Sequence, residues 1–238
     1  VVVAAGNEAT ARHHYYGEVA FGQQSDVVEV NVEDAVAGFH IEMWAKAPEL
    51  YSVRIISPTG ERTAGVRVQQ DGREVYRFVF ENTQVIIDYH IVGTATGDQL
   101  IYIRFDRPTR GIWTIEVNGD YSIEGRYHMW LPITGLIAGD ISFSRSNPDT
   151  TITMPGNAAA PMTVGGYNAG NDSIYLNSSR GYTASGLVKP DFAAPGVNVI
   201  GPAPGNRFEA RSGTSIAAAI TAGAAALYLE WAVERGYN

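Results

Sequence analysis

Residues 212–227 read Ser-Gly-Thr-Ser-Ile-Ala-Ala-Ala-Ile-Thr-Ala-Gly-Ala-Ala-Ala-Leu. A serine that follows Gly-Thr and precedes a run of small residues has what a nucleophile at a helix N-terminus needs. Gly213 allows a tight backbone approach, and Ser215 falls where turn becomes helix, so its hydroxyl can face a cleft. The unpaired N–H groups of a first helical turn favour developing negative charge there. The small residues 217–226 let such a helix pack closely on a sheet. The same segment also reads as an Ala-rich buried helix with serine as its cap, and taken alone it does not choose between the two.

Other segments add to it. Val1-Val2-Val3-Ala4-Ala5-Gly6-Asn7-Glu8 reads as a buried strand ending in a Gly-Asn turn. Lys189-Pro190-Asp191-Phe192-Ala193-Ala194-Pro195-Gly196 reads as a buried strand and Pro-Gly turn shortly before the serine, and a helix is expected over 214–233 with its Ala/Leu face in the core. Between them lie Thr151-Ile152-Thr153-Met154-Pro155-Gly156, then Met162-Thr163-Val164-Gly165-Gly166, then Asn177-Ser178-Ser179-Arg180-Gly181. In type, order and spacing these segments resemble the subtilisin-like serine proteases (subtilases), over residues 1–10 and about 150–235. The 151–156 segment resembles the substrate-pocket strand of that family, 162–166 its next core strand, and 177–181 its Ser-Ser turn.

The resemblance implies a division of labour. Amide cleavage by serine needs a nucleophile, a base for its proton, and donors for the oxyanion. Ser215 matches the nucleophile. Its own N–H and the side-chain amide of Asn7 match the oxyanion hole; for the corresponding asparagine of subtilisin, loss of the donor is known to cost about 10²–10³ in kcat. Without the serine motif, Asn7 reads as a turn residue. Ala5, Gly6, Thr153, Met154 and Thr214 match substrate-binding positions, with Met154 expected to narrow the primary pocket without charging it. In the family the triad aspartate and histidine both precede the asparagine, so neither can match a residue after Val1. The chain is therefore expected to be a fragment of a longer protein and inactive by itself. Its five histidines are poor substitutes: His40, His90 and His128 fall in expected strands, and His13 and His14 open a different segment.

That segment, about 11–149, reads as all-β. Candidate strands are 16–21, 27–32, 39–45, 52–56, 65–69, 75–81, 85–92, 100–105, 112–117 and 126–131, with apolar and polar residues alternating and turn signals at Pro58-Thr59-Gly60, Asp71-Gly72, Pro108-Thr109-Arg110-Gly111 and Asn118-Gly119. Val53/Ile55 and Trp113/Ile115/Val117 mark the inward face, and Trp44, Trp113 and Trp130 are expected in the core. Ten short strands at this pitch predict a jelly-roll sandwich. The expected fold class is thus a partial α/β subtilisin-like domain with a parallel sheet (1–10 and 150–238), interrupted by an all-β jelly-roll domain (11–149). The whole arrangement, with Arg12-His13-His14-Tyr15-Tyr16-Gly17 and Ile216-Ala217-Ala218-Ala219, resembles the clostridial Csp-type germination proteases. That resemblance implies a bacterial precursor such as a spore cortex hydrolase as substrate, and an extracellular or spore-associated location. Two other readings stay open: a pseudoprotease, and a partner- or carbohydrate-binding β-module.

Composition narrows the rest. The 238 residues carry a net charge of −8, 18% charged and 45% hydrophobic residues, and no cysteine. Disulfides, thiol catalysis and Cys-ligated metals are excluded, and nothing in the charge pattern suggests a nucleic-acid surface. No run reads as a membrane span. The expected partners are a protein or peptide substrate and the rest of the parent catalytic domain. No cofactor is evident and no metal site is assigned. The family resemblance implies calcium, for which Asp191 and the Asn171-Asp172 turn are candidate oxygen donors, but the spacing is not that of a calcium loop.

Overall fold

The structure is a computed structural model that describes residues 1–19, 25–65, 72–92 and 97–236. The chain forms two compact units, one of residues 1–11 with 148–238 (unit 1) and one of residues 12–147 (unit 2). In chain order the first strand is β1 (Val2–Ala4). Unit 2 follows with β2 (His14–Glu18), β3 (Ser25–Val32), β4 (Gly38–Ala45), β5 (Leu50–Ile56), β6 (Arg73–Phe78), β7 (Thr83–Val92), β8 (Asp98–Asp106), β9 (Gly111–Tyr121), β10 (Arg126–Trp130) and β11 (Ile141–Phe143). Unit 1 resumes with β12 (Met162–Asn168), β13 (Ser173–Ile174), β14 (Phe192–Pro195), β15 (Val199–Ala203), β16 (Arg207–Arg211) and the helix α1 (Thr214–Glu234).

Unit 2 is a sandwich of two antiparallel sheets, ordered β2-β10-β4-β8-β7-β6 and β11-β3-β9-β5. Period-two alternation puts one face of each strand inside. In β4, Phe39, Ile41, Met43 and Ala45 are buried while His40, Glu42 and Trp44 lie on the outer face. Strands of both sheets contribute to one core, in which Trp113 is fully buried between Phe78 and Phe105 and donates its Nε1–H to the Thr109 carbonyl at 2.9 Å. Trp44 and Trp130, expected in the core, are only half-buried on the outer face of the six-stranded sheet. The Asn118-Gly119 turn is also corrected: β9 continues to Tyr121, with Asp120 as the extra residue of a bulge opposite Leu50 and Tyr51. Residues 20 and 21 of the expected strand 16–21, residues 66–69 of the expected strand 65–69, and Asp71 lie outside the described residues.

In unit 1, β1 and β14 flank β12 in parallel, and β13 adds an antiparallel pair at its end. Residues 151–156 belong to no strand; they run alongside the sheet in turns, anchored where the Thr153 N–H donates to the Ala5 carbonyl at 2.9 Å. The helix α1 packs on β12, β1 and β14. Its buried residues, Thr214, Ala217 and Thr221, fall at i, i+3 and i+7, one helical stripe. The expected Ala/Leu core face is formed only in its first turns, by Ala217 with Ala218 against it; Leu227 is 69% and Leu229 63% exposed. The helix is apolar on every side, so one sheet face cannot cover it. Against the expectation that no run reads as a membrane span, α1 is by length and composition alone long and apolar enough to cross a membrane.

Candidate active site

The helix start explains how three distant segments converge. Gly213 caps α1 with φ 155° and ψ 156° and offers no side chain to the first N–H groups. That work is done from 207 residues away: Asn7 Oδ1 accepts the Thr214 N–H at 3.0 Å and the Thr214 hydroxyl at 3.2 Å. Thr214 Oγ1 in turn accepts the Gly6 N–H at 3.2 Å. The Asn7 turn and the first turn of α1 are therefore one hydrogen-bonded piece.

This arrangement fixes which end of the Asn7 amide is available. With Oδ1 engaged by two donors, Nδ2 is left facing outward, and among the described residues it has no partner. A side chain on Gly213 would come within 3.7 Å of Asn7 Nδ2 and 3.9 Å of the Ser215 nitrogen, so both donors border the space that Gly213 leaves open. Ser215 is exposed at the start of α1, and among the described residues its hydroxyl makes no hydrogen bond. Two N–H donors beside a free hydroxyl is the geometry that acyl transfer to serine requires.

A second layer holds the turn in place. Gly6 has φ +107°, and a Cβ there would lie 2.7 Å from Ser179 Oγ and from the Thr153 side chain, so only glycine fits. Ser179 donates its N–H to the Gly6 carbonyl at 2.9 Å and accepts the Glu8 N–H on Oγ at 3.0 Å, gripping Asn7 from both sides. Ser179 lies in the Ser-Ser turn of residues 177–181, and no local sequence pattern marks its part in the site. Ala5 is buried, and its carbonyl accepts the Thr153 hydroxyl at 3.3 Å as well as the Thr153 N–H. Of the candidate pocket residues, Ala5, Gly6, Thr153 and Thr214 come together. Met154 does not: it is 83% exposed, and it is Thr153 that fills the space under Gly6.

Unit 1 contains no histidine; all five lie at positions 13–128, within unit 2. The calcium candidates are otherwise engaged. Asp191 accepts from Lys189 Nζ at 2.7 Å and from the Thr163 N–H at 2.6 Å, and these donors hold its carboxyl below the usual carboxylate range. Asn171 Oδ1 accepts the N–H and hydroxyl of Ser173. Among the described residues no three His, Asp or Glu side chains cluster.

Comparison with known proteins bears on this geometry. Residues 136–235 match the subtilase family, peptidase S8. The serine protease AprX of Bacillus subtilis is 36% identical over a segment covering 38% of this chain and 25% of AprX. The C5a peptidase of Streptococcus pyogenes is 35% identical over 33% of this chain and 6% of its own length. Among solved structures, the CspB protease of Clostridium perfringens superimposes with a TM-score of 0.87 at 28% identity, over 98% of this chain and 49% of that chain. The chain thus spans less than half the length of each of these relatives.

Proposed function

On the premise that residues 136–235 are a segment of the subtilase family, we propose that the 238 residues are the C-terminal part of a subtilisin-like serine endopeptidase. Ser215 Oγ attacks the scissile carbonyl while a base takes its proton. The oxyanion is held by the Ser215 N–H and Asn7 Nδ2. The amine leaves with the proton from the base, and water releases the acyl group from Ser215. The observation that carries this reading is the Asn7–Thr214 pair, which anchors Oδ1 and turns the amide N–H₂ toward the space beside Ser215.

The base and its orienting carboxylate we assign to parts of the parent protein outside these residues, since unit 1 has no imidazole. The chain by itself is then a nucleophile and an oxyanion hole without a proton acceptor. The rest of the catalytic domain is its first partner, and the apolar sides of α1 are the surface it would cover. Ala5, Gly6 and Thr153 form the wall of the primary pocket, which Thr153 keeps small and uncharged. The likeness to the CspB protease supports a protein substrate; the resemblance of the sequence to the clostridial Csp type makes a bacterial precursor such as a spore cortex hydrolase our proposal for it. We read unit 2 as a jelly-roll variant. Support comes from the order β2-β10-β4-β8 opposite β3-β9-β5, which pairs early strands with late ones as interleaved Greek keys do, with β7 and β6 extending one sheet.

The test is covalent labelling of the intact protein with a fluorophosphonate. Labelling at Ser215, abolished by Ser215→Ala, is expected. An intact protein that is folded yet leaves Ser215 unlabelled would make it a pseudoprotease.

A further inference from the structure

The two ends of unit 2 meet at a pair of histidines. The Phe143 N–H donates to the Arg12 carbonyl at 3.0 Å, and the Arg12 guanidinium donates to the carbonyls of Phe143 and Ser144. The Asn147 N–H donates to the His14 carbonyl at 2.8 Å. Inside this crossing the His14 ring is 1% exposed. Its Nδ1 lies 3.2 Å from the Asn147 carbonyl oxygen, and its Nε2 lies 2.9 Å from His128 Nδ1. The two imidazole planes are within 18° of each other with centroids 5.2 Å apart, which with the short N···N contact describes rings joined end to end by an N–H···N bond. Trp130 lies near-parallel to both, at 5.0 and 5.1 Å.

The proton count of this arrangement is constrained. A carbonyl only accepts, so His14 Nδ1 carries a hydrogen. The N···N contact needs one hydrogen, supplied by either ring. A neutral pair satisfies both bonds. A pair with one added proton does so too, either as an imidazolium at His14 donating to His128 or the reverse, with Trp130 alongside to favour a cation. A second added proton places hydrogens on both facing nitrogens and two cations in contact. We propose that His14 and His128 form a one-proton clasp that holds the ends of unit 2 together and opens when the pair is forced to take a second proton.

The surroundings oppose that second charge. Facing the pair are Tyr16 on β2, Trp130 on β10, and Trp44 and Glu42 on β4, where the Glu42 carboxylate is taken up by Trp44 Nε1. Lys46, just past β4, adds positive charge, and His13 adjoins the pair in sequence. Arg145, in the segment leading to Asn147, donates to the Tyr15 hydroxyl and faces Asp26. Burial first, then the charges of His14 and Lys46, push the His128 imidazole down from its ordinary 6.5 to about 4. The open form therefore takes up a proton that the closed form refuses between those values. Opening should rise about tenfold per pH unit from 6.5 down to about 4, roughly 300-fold in all.

The experiment is amide hydrogen exchange of the 238-residue chain from pH 7 to 4, corrected for intrinsic rates, read at Asn147 and Leu131, whose N–H groups bond to His14 and His13. The core amide of Val117 serves as reference. The expected result is a steep loss of protection at Asn147 and Leu131 on acidification, and its absence in His128→Gln, which cannot take the second proton. A flat wild-type profile, or the same slope in the variant, would overturn the clasp. Should the variant fail to fold, NMR titration of the wild-type imidazoles decides. His128 staying neutral until about pH 4 supports it, and both rings charged above pH 5 with Asn147 still protected refutes it.

Discussion

Unit 2 buries Trp113, Phe105, Tyr127, Phe143 and a full set of inward valines and isoleucines between its two sheets, whereas the apolar core of unit 1 is Val164, Ala194 and Ala217, with Val2 and Ala218 against it. The unit with the larger core carries none of the candidate chemistry. The unit with Ser215 and Asn7 leaves Leu227, Leu229 and Tyr228 exposed along its helix. The contrast separates two ways of holding structure. Unit 2 is held by area removed from water. The site in unit 1 is held by directed hydrogen bonds among Asn7, Thr214, Gly6 and Ser179, which specify geometry closely while burying little.

That contrast can be broken by substitution. The largest effect should come from Trp113→Ala. It removes a fully buried ring between Phe78 and Phe105, and about 3–5 kcal/mol should be lost from unit 2 in denaturant unfolding. Next, Ala217→Leu forces three extra carbons into the tight seat of α1, where a Cβ placed on Gly196 would already be 3.5 Å from Ala217. A loss of about 1–3 kcal/mol is expected, confined to unit 1 amides in hydrogen exchange.

Smaller effects sharpen the comparison. Because Lys189 and the Thr163 N–H lower the Asp191 carboxyl, its contribution is present above the unfolded-state value and fades as pH falls through the folded one. With the side chain 36% exposed, solvent limits this to under about 1 kcal/mol, and Asp191→Asn should flatten the acid limb of unit 1 stability by that amount. Smallest of all, Leu227→Ala and Leu229→Ala should change the stability of this chain by less than about 0.5 kcal/mol, since both are exposed. In the intact protein the same substitutions should cost about 2–5 kcal/mol if the remaining catalytic domain covers α1.

The alternation in β4, β8 and β9 made unit 2 legible in sequence, because a half-buried strand must repeat every second residue. The short β11 and the bulge of β9 escaped, since three residues carry no period and a bulge defeats a local turn signal. In unit 1 the type and order of motifs pointed to Ser215 and Asn7, but not to their coupling, for no local pattern shows that the cap of α1 comes from residue 7. The Ala/Leu face of α1 tells what the helix would bury, not whether anything lies against it. The β15–β16 hairpin around Pro204-Gly205-Asn206 carried a turn signal that could have been used. That Thr153 packs under Gly6 while Met154 is exposed was not legible, because adjacent residues on an irregular segment have no period to say which one turns inward.

The central claim is that Ser215 and Asn7 are a nucleophile and its oxyanion donor whose base lies outside these residues. The most direct measurement is hydrolysis of a fluorogenic peptide by the 238-residue chain, side by side with Ser215→Ala and with the intact protein. Turnover is expected from the intact protein alone, with the chain indistinguishable from its Ser215→Ala variant. Turnover by the 238-residue chain that disappears in Ser215→Ala would contradict it.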